Sequence, residues 1–213
     1  MSDRFSIKQQ LASASVVTAL MLGGCAQMPP KAANYVVPPL GSTWVTARSD
    51  SGSFGSTASQ IANKLGEQTW QGQKLTALQA PGFAQLLNDK GAIVAMMSGD
   101  KPLASFDPPL GFAYPLEVGK SLSSTHNVTI FPSMKTTPLQ VTQKVEAYED
   151  VTLPAGTFKA FKISWSESNG NENTYWVSPE LGITVKSILV RTGKWSTGEG
   201  RRENQLVSQN ISK

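Results

Sequence analysis

Hydrophobic and polar residues alternate along most of the chain after residue 42, which is the pattern of half-buried β-strands. In the clearest stretch Phe161, Ile163 and Trp165 alternate with Lys162 and Ser164. The same periodicity predicts strands at Trp44–Arg48, Gln73–Leu78, Phe83–Leu87, Ala92–Met97, His126–Phe131, Leu139–Tyr148, Phe158–Ser166, Tyr175–Val177, Ile183–Arg191 and Asn204–Gln209.

Turn residues separate these stretches and suggest that neighbouring strands are joined by hairpins. Asn88–Gly91 and Asn169-Gly170 suit tight turns between strands. The best helical candidate is Ser59–Leu65, which stops at Gly66, and residues 102–115 carry four prolines that predict a loop or irregular edge. The pattern as a whole predicts a mainly β fold, a curved antiparallel meander that forms a half-barrel or a barrel-like sheet.

The first residues differ from the rest of the chain and have the order of an export signal. Residues 1–10 are polar and carry Arg4 and Lys8, and residues 11–22 are apolar. A span of about a dozen apolar residues is too short for a permanent membrane helix, which needs about 20. Residues 1–24 are therefore predicted to be a cleaved signal peptide.

Leu22-Gly23-Gly24-Cys25 follows the apolar stretch and resembles the lipobox of bacterial lipoproteins. The resemblance implies a diacylglycerol thioether on Cys25, cleavage before it and acylation of the new amino group. Several acyl chains anchor a protein stably, at about 0.8 kcal/mol for each buried methylene. The non-Asp residue Ala26 implies, by the same resemblance, sorting to the outer membrane, with the folded part facing the periplasm.

The mature chain divides into a short tether and one β-rich domain. Residues 25–41 hold Cys25 and the pairs Pro29-Pro30 and Pro38-Pro39, which favour extended polyproline geometry. Residues 42–213 are predicted to form the domain, since a mature chain of about 190 residues supports one hydrophobic core.

Charge and cysteine content exclude several functions. The formal net charge is only +4, and the longest run of basic residues is Arg201-Arg202, so no nucleic-acid partner is expected. Cys25 is the single cysteine of the sequence. We therefore expect no disulfide within the chain and no cysteine-based metal or nucleophilic site in the folded part.

Two stretches in the second half resemble uncharacterised exported bacterial proteins, among them domains of unknown function with a curved antiparallel sheet. They are Val151–Ala160 and Tyr175–Gly182. Their physical role is in turns, because proline presets φ and glycine accepts the left-handed conformation. The predicted turn residues are Pro154, Gly156, Pro179 and Gly182. Trp165 and Trp176 are expected to pack in the core or across strands.

The residues that could carry chemistry do not combine into an active site. His126 is the only histidine and is expected to be an exposed or half-buried strand residue. Ser98 and Lys101 have the Ser-x-x-Lys spacing of penicillin-interacting enzymes, but Gly99, Asp100 and a following proline predict a turn where those enzymes need a helix.

Two further groups have structural interpretations. Glu146, Glu149 and Asp150 form the densest acidic group, and they lack the loop pattern of a calcium site. Gly52–Ser56 is glycine-rich without the lysine and helix of a phosphate loop, which predicts a flexible hairpin tip. No metal and no cofactor are expected.

These observations predict a non-catalytic, outer-membrane-anchored lipoprotein of the cell envelope that binds or supports an envelope protein partner. The main alternative is a carrier or sensor of an apolar, lipid-like ligand held by the curved sheet. An envelope hydrolase is a third alternative, which would need a cleft where Ser, Lys or acidic side chains converge.

Overall fold

A computed structural model describes residues 32–211. The predicted signal peptide, the lipobox residues Leu22, Gly23 and Gly24, and Cys25 lie outside the described residues. Within the described part, the structure contains no helix that is long and apolar enough to cross a membrane.

Twelve antiparallel strands form one sheet that closes into a barrel, which confirms the predicted fold class. Consecutive strands are neighbours throughout, and β1 pairs with β12 to close the sheet. The strands are β1 Thr43–Gly52, β2 Ala58–Trp70, β3 Gln73–Ala80, β4 Phe83–Leu87, β5 Ile93–Ser98, β6 Lys101–Leu110, β7 Ser121–Ile130, β8 Lys135–Leu153, β9 Gly156–Glu167, β10 Asn171–Ser178, β11 Ile183–Arg191 and β12 Gly200–Asn210.

Consecutive strands run in opposite directions, so successive connections leave opposite ends of the strands that they join. The end where β1 begins also holds the β4–β5, β6–β7, β8–β9 and β10–β11 connections. We call it the strap end, because residues 32–41, the strap, cross it. The other end, called the distal end, holds the β1–β2, β9–β10 and β11–β12 connections.

The strap lies against the barrel, although the sequence assigns it to the tether. Ala33 exchanges two backbone hydrogen bonds with Leu116, at 2.9 and 2.7 Å. The Tyr35 ring lies against Gly91 and 5.4 Å from the ring centroid of Tyr114. Gly41 N–H donates to the Leu65 carbonyl at 2.8 Å. The chain is thus fixed to the barrel from residue 33 onward.

A bulge in β8 lets the long β8–β9 ribbon bury opposite faces at its two ends. Val145 pairs with Ile163, whereas Val151 pairs with Phe158 after the register shifts between residues 145 and 147. One extra residue in a strand moves the following side chains to the other face. As a result Val145 and Val151 pack in different hydrophobic clusters.

The predicted helix at Ser59–Leu65 is wrong, because this segment is part of β2. Ile61, Asn63 and Leu65 are more buried than Ala62 and Lys64, so burial has a period of two. The segment pairs with β1 on one side and partly with β3 on the other. These ladder partners come from other parts of the chain and override a weak local helical preference.

Of the two alternatives predicted for residues 102–115, a loop is wrong over the first part, which forms β6, and β6 is an irregular strand, although it is not at a sheet edge. The strand tolerates Pro102, Pro108 and Pro109 because its pairing is incomplete: β6 pairs with β7 only from Ala104 to Asp107. Its register with β5 also shifts twice. Prolines are accepted where a ladder hydrogen bond is not required of them.

Candidate functional site

The distal end brings together three arginines and one aspartate from three strands. β1 supplies Arg48 and Asp50, β12 supplies Arg202 and β11 supplies Arg191. Asp50 pairs with Arg202 across β1 and β12, and Arg48 pairs with Asn204 in the same register. Arg191 pairs with Gly200, two residues before Arg202 on β12. Since cross-strand partners and alternate residues share a face, all four side chains lie on one face of the sheet. We call these four residues the arginine cluster.

Asp50 and Arg202 form the centre of the arginine cluster. Arg202 Nε donates to Asp50 Oδ1 at 2.7 Å and Arg202 Nη2 donates to Asp50 Oδ2 at 2.8 Å, which is bidentate geometry. The Asp50 side chain is only 5% exposed and that of Arg202 is 25% exposed. Hydrogen bonding from Arg202 lowers the pKa of the Asp50 carboxyl, with further lowering by the charges of Arg202, Arg48 and Arg191.

The other two arginines bring positive charge that Asp50 alone does not balance. Arg48 Nε donates to Asn204 Oδ1 at 3.1 Å, and Arg191 Nη1 donates to the Ser53 carbonyl at 2.9 Å. Burial and the charge of Arg202 lower the pKa of both guanidinium groups. A guanidinium nevertheless stays charged at neutral pH. Three positive charges therefore surround one carboxylate.

Phe54 and Trp195 provide flat apolar surfaces for these guanidinium groups. The Cζ atoms of Arg191 and Arg202 lie 3.8 and 4.6 Å from the centroid of Phe54. Arg191 Cζ is also 4.9 Å from the Trp195 ring. Contacts at this range are cation–π interactions, which hold a guanidinium in place without occupying its N–H donors.

Two glycines explain why Phe54 reaches the arginine cluster. Gly52 has φ +64° and pairs with Gly200 at the ends of β1 and β12. A Cβ atom at Gly52 would meet the Glu199 carbonyl oxygen and, at 2.8 Å, Gly200 Cα. A Cβ atom at Gly200 would lie 2.6 Å from Ser53 Oγ. Only glycine permits this close approach of the β1–β2 and β11–β12 connections.

The neighbouring residues of β12 have a different arrangement on the opposite face. Arg201 donates to Glu203 Oε2 at 3.0 Å, and Lys186 Nζ lies 3.5 Å from Glu203 Oε1. Gln205 also donates to Glu203 at 2.8 Å, and this hydrogen bond is the largest cause of the lowered pKa of Glu203. These groups form an ordinary surface network.

Two clefts open at the surface near the seam between β1 and β12. A cleft of about 450 Å³ at the distal end has Arg191 and Arg201 in its wall, and a cleft of about 410 Å³ lies beside Lys64 and Gln209. Neither cleft is enclosed. Most of the residues that line them are polar or glycine, and Trp44 is the largest apolar exception.

The other sequence candidates have partners within the fold. His126 is buried, not exposed or half-buried as expected. Its Nδ1 lies 2.7 Å from the Pro108 carbonyl and its Nε2 lies 2.8 Å from Ser124 Oγ. Since a carbonyl only accepts, Nδ1 carries the proton and Nε2 accepts from Ser124. Ser98 and Lys101 pair across the β5–β6 hairpin turn.

The three acidic residues Glu146, Glu149 and Asp150 each have a different partner. Glu146 accepts from Lys144 at 2.9 Å, and Asp150 accepts from Lys159 at 2.9 Å. Glu149 accepts from the indole N–H of Trp176 at 2.7 Å. In residues 32–211 no three His, Asp or Glu side chains are grouped so that they could hold a metal ion.

Three of the predicted turn residues lie in two strap-end connections, and the fourth, Gly156, is the first residue of β9. Pro154 lies in the β8–β9 turn, which leads into Gly156 with φ +124°, and Pro179 begins the β10–β11 turn. Gly182 has φ +68°, and a Cβ atom there would collide with the carbonyl oxygen of Val36. Gly182 therefore allows the strap to lie against the barrel.

Trp165 and Trp176 both pack in the core, but on opposite faces of the β9–β10 pair. Trp165 shares a face with Ile163, which pairs with Tyr175, and Trp165 packs 5.9 Å from that tyrosine ring. Trp176 instead pairs with Lys162 and packs in a different cluster.

Sequence reasoning singled out Gly52–Ser56 but missed the arginine cluster. The hydrogen-bonded partners in the cluster are far apart in the chain: Arg202 and Asp50 are separated by 152 residues, and Arg191 and Ser53 by 138. A polar residue repeated at alternate positions, as at Arg48 and Asp50, is the one local feature that could have indicated a polar strip.

Neither a protein-family model nor a curated protein matches the chain. Three solved structures resemble it in part. The first is a proposed lipoprotein from Parabacteroides distasonis, with 12% identity over 84% of this chain and 99% of that one and a TM-score of 0.44.

The second is a proposed exported protein with a YmcC-like fold from Bacteroides fragilis, with the same identity, coverage and TM-score. The third is the hypothetical lipoprotein YmcC from Escherichia coli, with 11% identity over 81% of this chain and 86% of that one and a TM-score of 0.38. Because these TM-scores are below 0.5, we infer nothing about this chain from them.

Proposed function

We propose that this protein is a non-catalytic lipoprotein of the bacterial cell envelope. It is anchored through Cys25 in the outer membrane, and its barrel faces the periplasm, where it binds or supports an envelope partner. The observation that carries the proposal is Leu22-Gly23-Gly24-Cys25 directly after the apolar residues 11–22. Lipid attachment requires a thiol, and no other residue of the chain has one.

The short distance along the chain between Cys25 and the barrel supports a defined orientation. Ala33 is hydrogen-bonded to Leu116, so only eight residue steps separate Cys25 from a fixed point. A fully extended chain of that length reaches no more than about 28 Å. The strap end would therefore stay near the bilayer, and the distal end would be presented to the periplasm.

A non-catalytic role agrees with the contacts of the candidate residues. The ring nitrogens of His126 are both engaged, and Ser98 and Lys101 lie on a hairpin turn and not on one face of a helix. The apolar-ligand carrier and the envelope hydrolase stay predictions. No specific contact of the described residues favours either of them, and native mass spectrometry of the purified protein would test the former.

Metabolic labelling with a palmitate analogue tests the proposal. We expect the wild-type protein to incorporate the label and to fractionate with the outer membrane. Cys25→Ser removes the acceptor thiol, so it should carry no label and leave the membrane fraction. Gln27→Ser, two residues further along the chain, is the matched control and should behave as wild type. Label on the Cys25→Ser protein, or unchanged membrane fractionation, would contradict the proposal.

A further inference from the structure

The arginine cluster contains N–H donors that the protein itself does not use. Arg48 donates only through Nε, and Arg191 donates only through Nη1 among the contacts of residues 32–211. Arg202 uses Nε and Nη2 for Asp50. Each of the three guanidiniums thus retains at least one terminal nitrogen without a protein acceptor.

These free donors are accessible from solvent. In the described part of the chain, every buried side-chain nitrogen or oxygen has a hydrogen-bond partner. A guanidinium nitrogen without a partner is therefore not buried. Each unpartnered nitrogen therefore keeps some contact with solvent, although burial lowers the pKa of Arg48 and Arg191.

The groups that position the donors make the arrangement rigid. Asp50 holds Arg202 through two bonds, Asn204 holds Arg48, and Phe54 stacks on Arg191 and Arg202. Preorganised, partly desolvated guanidiniums bind planar or tetrahedral oxyanions more strongly than mobile surface lysines do. The excess of positive charge over the single carboxylate favours an anion over a neutral ligand.

Glu203 and Glu167, two further acidic residues of the strands near the distal end, do not neutralise the cluster. Glu203 lies on the opposite face with Arg201 and Lys186. Glu167, the last residue of β9, accepts from the Trp165 indole at 2.8 Å and from Asn171 at 2.7 Å. Both carboxylates are thus engaged elsewhere.

From these contacts we infer that the arginine cluster is a binding site for an oxyanion, a phosphoryl or carboxylate group carried by the envelope partner. The inference rests on the proposed function for its biological setting. The distal end would then be the surface that binds the envelope partner, through a phosphoryl or carboxylate group of that partner. The binding itself does not depend on acylation.

Calorimetric titration of the full-length protein, purified in detergent, tests the site with two probes, pyrophosphate and citrate. We expect saturable one-to-one binding of at least one probe, and the tighter of the two identifies the source as phosphoryl or carboxylate. Affinity should fall as ionic strength rises, because screening weakens the attraction.

Two matched variants locate the site. Arg48→Gln removes a guanidinium from the cluster and should weaken binding by at least tenfold. Arg201→Gln removes the same charge from the same end of the barrel, on the opposite face, and should weaken binding by less than threefold. Thermal melts check that both variants are folded, and Arg191→Gln replaces Arg48→Gln if the latter is not.

The inference would be overturned if neither probe binds saturably. It would also be overturned if Arg48→Gln and Arg201→Gln weaken probe binding equally. Either result would leave the lipid anchor untouched, since the anchor is measured by acyl labelling of Cys25. Failure of labelling with retained probe binding would instead overturn the proposed function alone.

Discussion

The two ends of the barrel are built by different physical means. At the strap end, backbone hydrogen bonds and a glycine contact hold a peptide segment whose Val36, Val37 and Leu40 side chains remain partly exposed. At the distal end, guanidinium groups, one carboxylate and two aromatic rings determine the surface. Because the contacts described at the two ends involve different residues, we expect substitutions at one end to leave the other unchanged, so that the two roles can be separated by mutation.

The largest stability effect is expected from Gly182→Ala at the strap end. The substitution forces a Cβ atom against the Val36 carbonyl and places a non-glycine residue at φ +68°. Together these should lower the free energy of unfolding by about 3–4 kcal/mol. Chemical denaturation measures the change.

Gly72→Ala is the control for the backbone conformation alone. Gly72 has φ +79° with open space around its Cβ position, so the loss should be about 1 kcal/mol. Equal losses in the two variants would show that the contact between Gly182 and the strap contributes nothing.

Asp50→Asn should have the next largest effect, at the distal end. The substitution removes the partner of Arg202 and leaves three guanidiniums without a carboxylate. We expect it to lower the free energy of unfolding by about 2–3 kcal/mol. Because the folded protein lowers the pKa of Asp50, its stabilisation is complete above the ordinary value of 3.8. It is lost as pH falls through the lowered value.

Denaturant titrations of wild type and Asp50→Asn between pH 7 and pH 2 measure this dependence. The difference in stability should be constant above about pH 5 and should shrink below about pH 4, where the wild-type carboxyl becomes protonated. A difference that is independent of pH over this range would contradict the assigned role of the ion pair.

The smallest effect is expected from Phe54→Leu. Leucine retains apolar bulk but lacks the ring face that contacts Arg191 and Arg202, so stability should fall by about 1 kcal/mol. Probe binding should weaken as well, because the guanidiniums lose a support. Phe83→Leu, at the start of β4, controls for the change in side-chain size and should leave probe binding unchanged.

The strands of the second half could be predicted because each carries its own alternation and its own turn residues. Ile183–Arg191 is predicted with its observed bounds, and Phe158–Ser166 lies within β9. Residues 59–65 and 102–110 were not predicted because their local preferences, a short helical spacing and three prolines, are overridden by pairing with neighbouring strands.

The arginine cluster could not be predicted from the sequence, because barrel closure alone brings it together. Arg48 and Asn204 are 156 residues apart and become neighbours only through the pairing of β1 with β12. A single arginine in a strand normally indicates a solvated surface, and nothing near Arg48 shows that two other guanidiniums lie beside it. The turn glycines, by contrast, are local features.

Depth-dependent fluorescence quenching in vesicles tests most directly whether the two ends face opposite directions. Cys25 is the only cysteine and its thiol would be blocked by lipid, so an introduced cysteine accepts a fluorophore uniquely. The positions are Val37→Cys on the strap and Thr197→Cys in the β11–β12 connection, in the full-length acylated protein. A headgroup-attached quencher should quench the probe at residue 37 strongly and the probe at residue 197 little. Equal or reversed quenching would contradict the account.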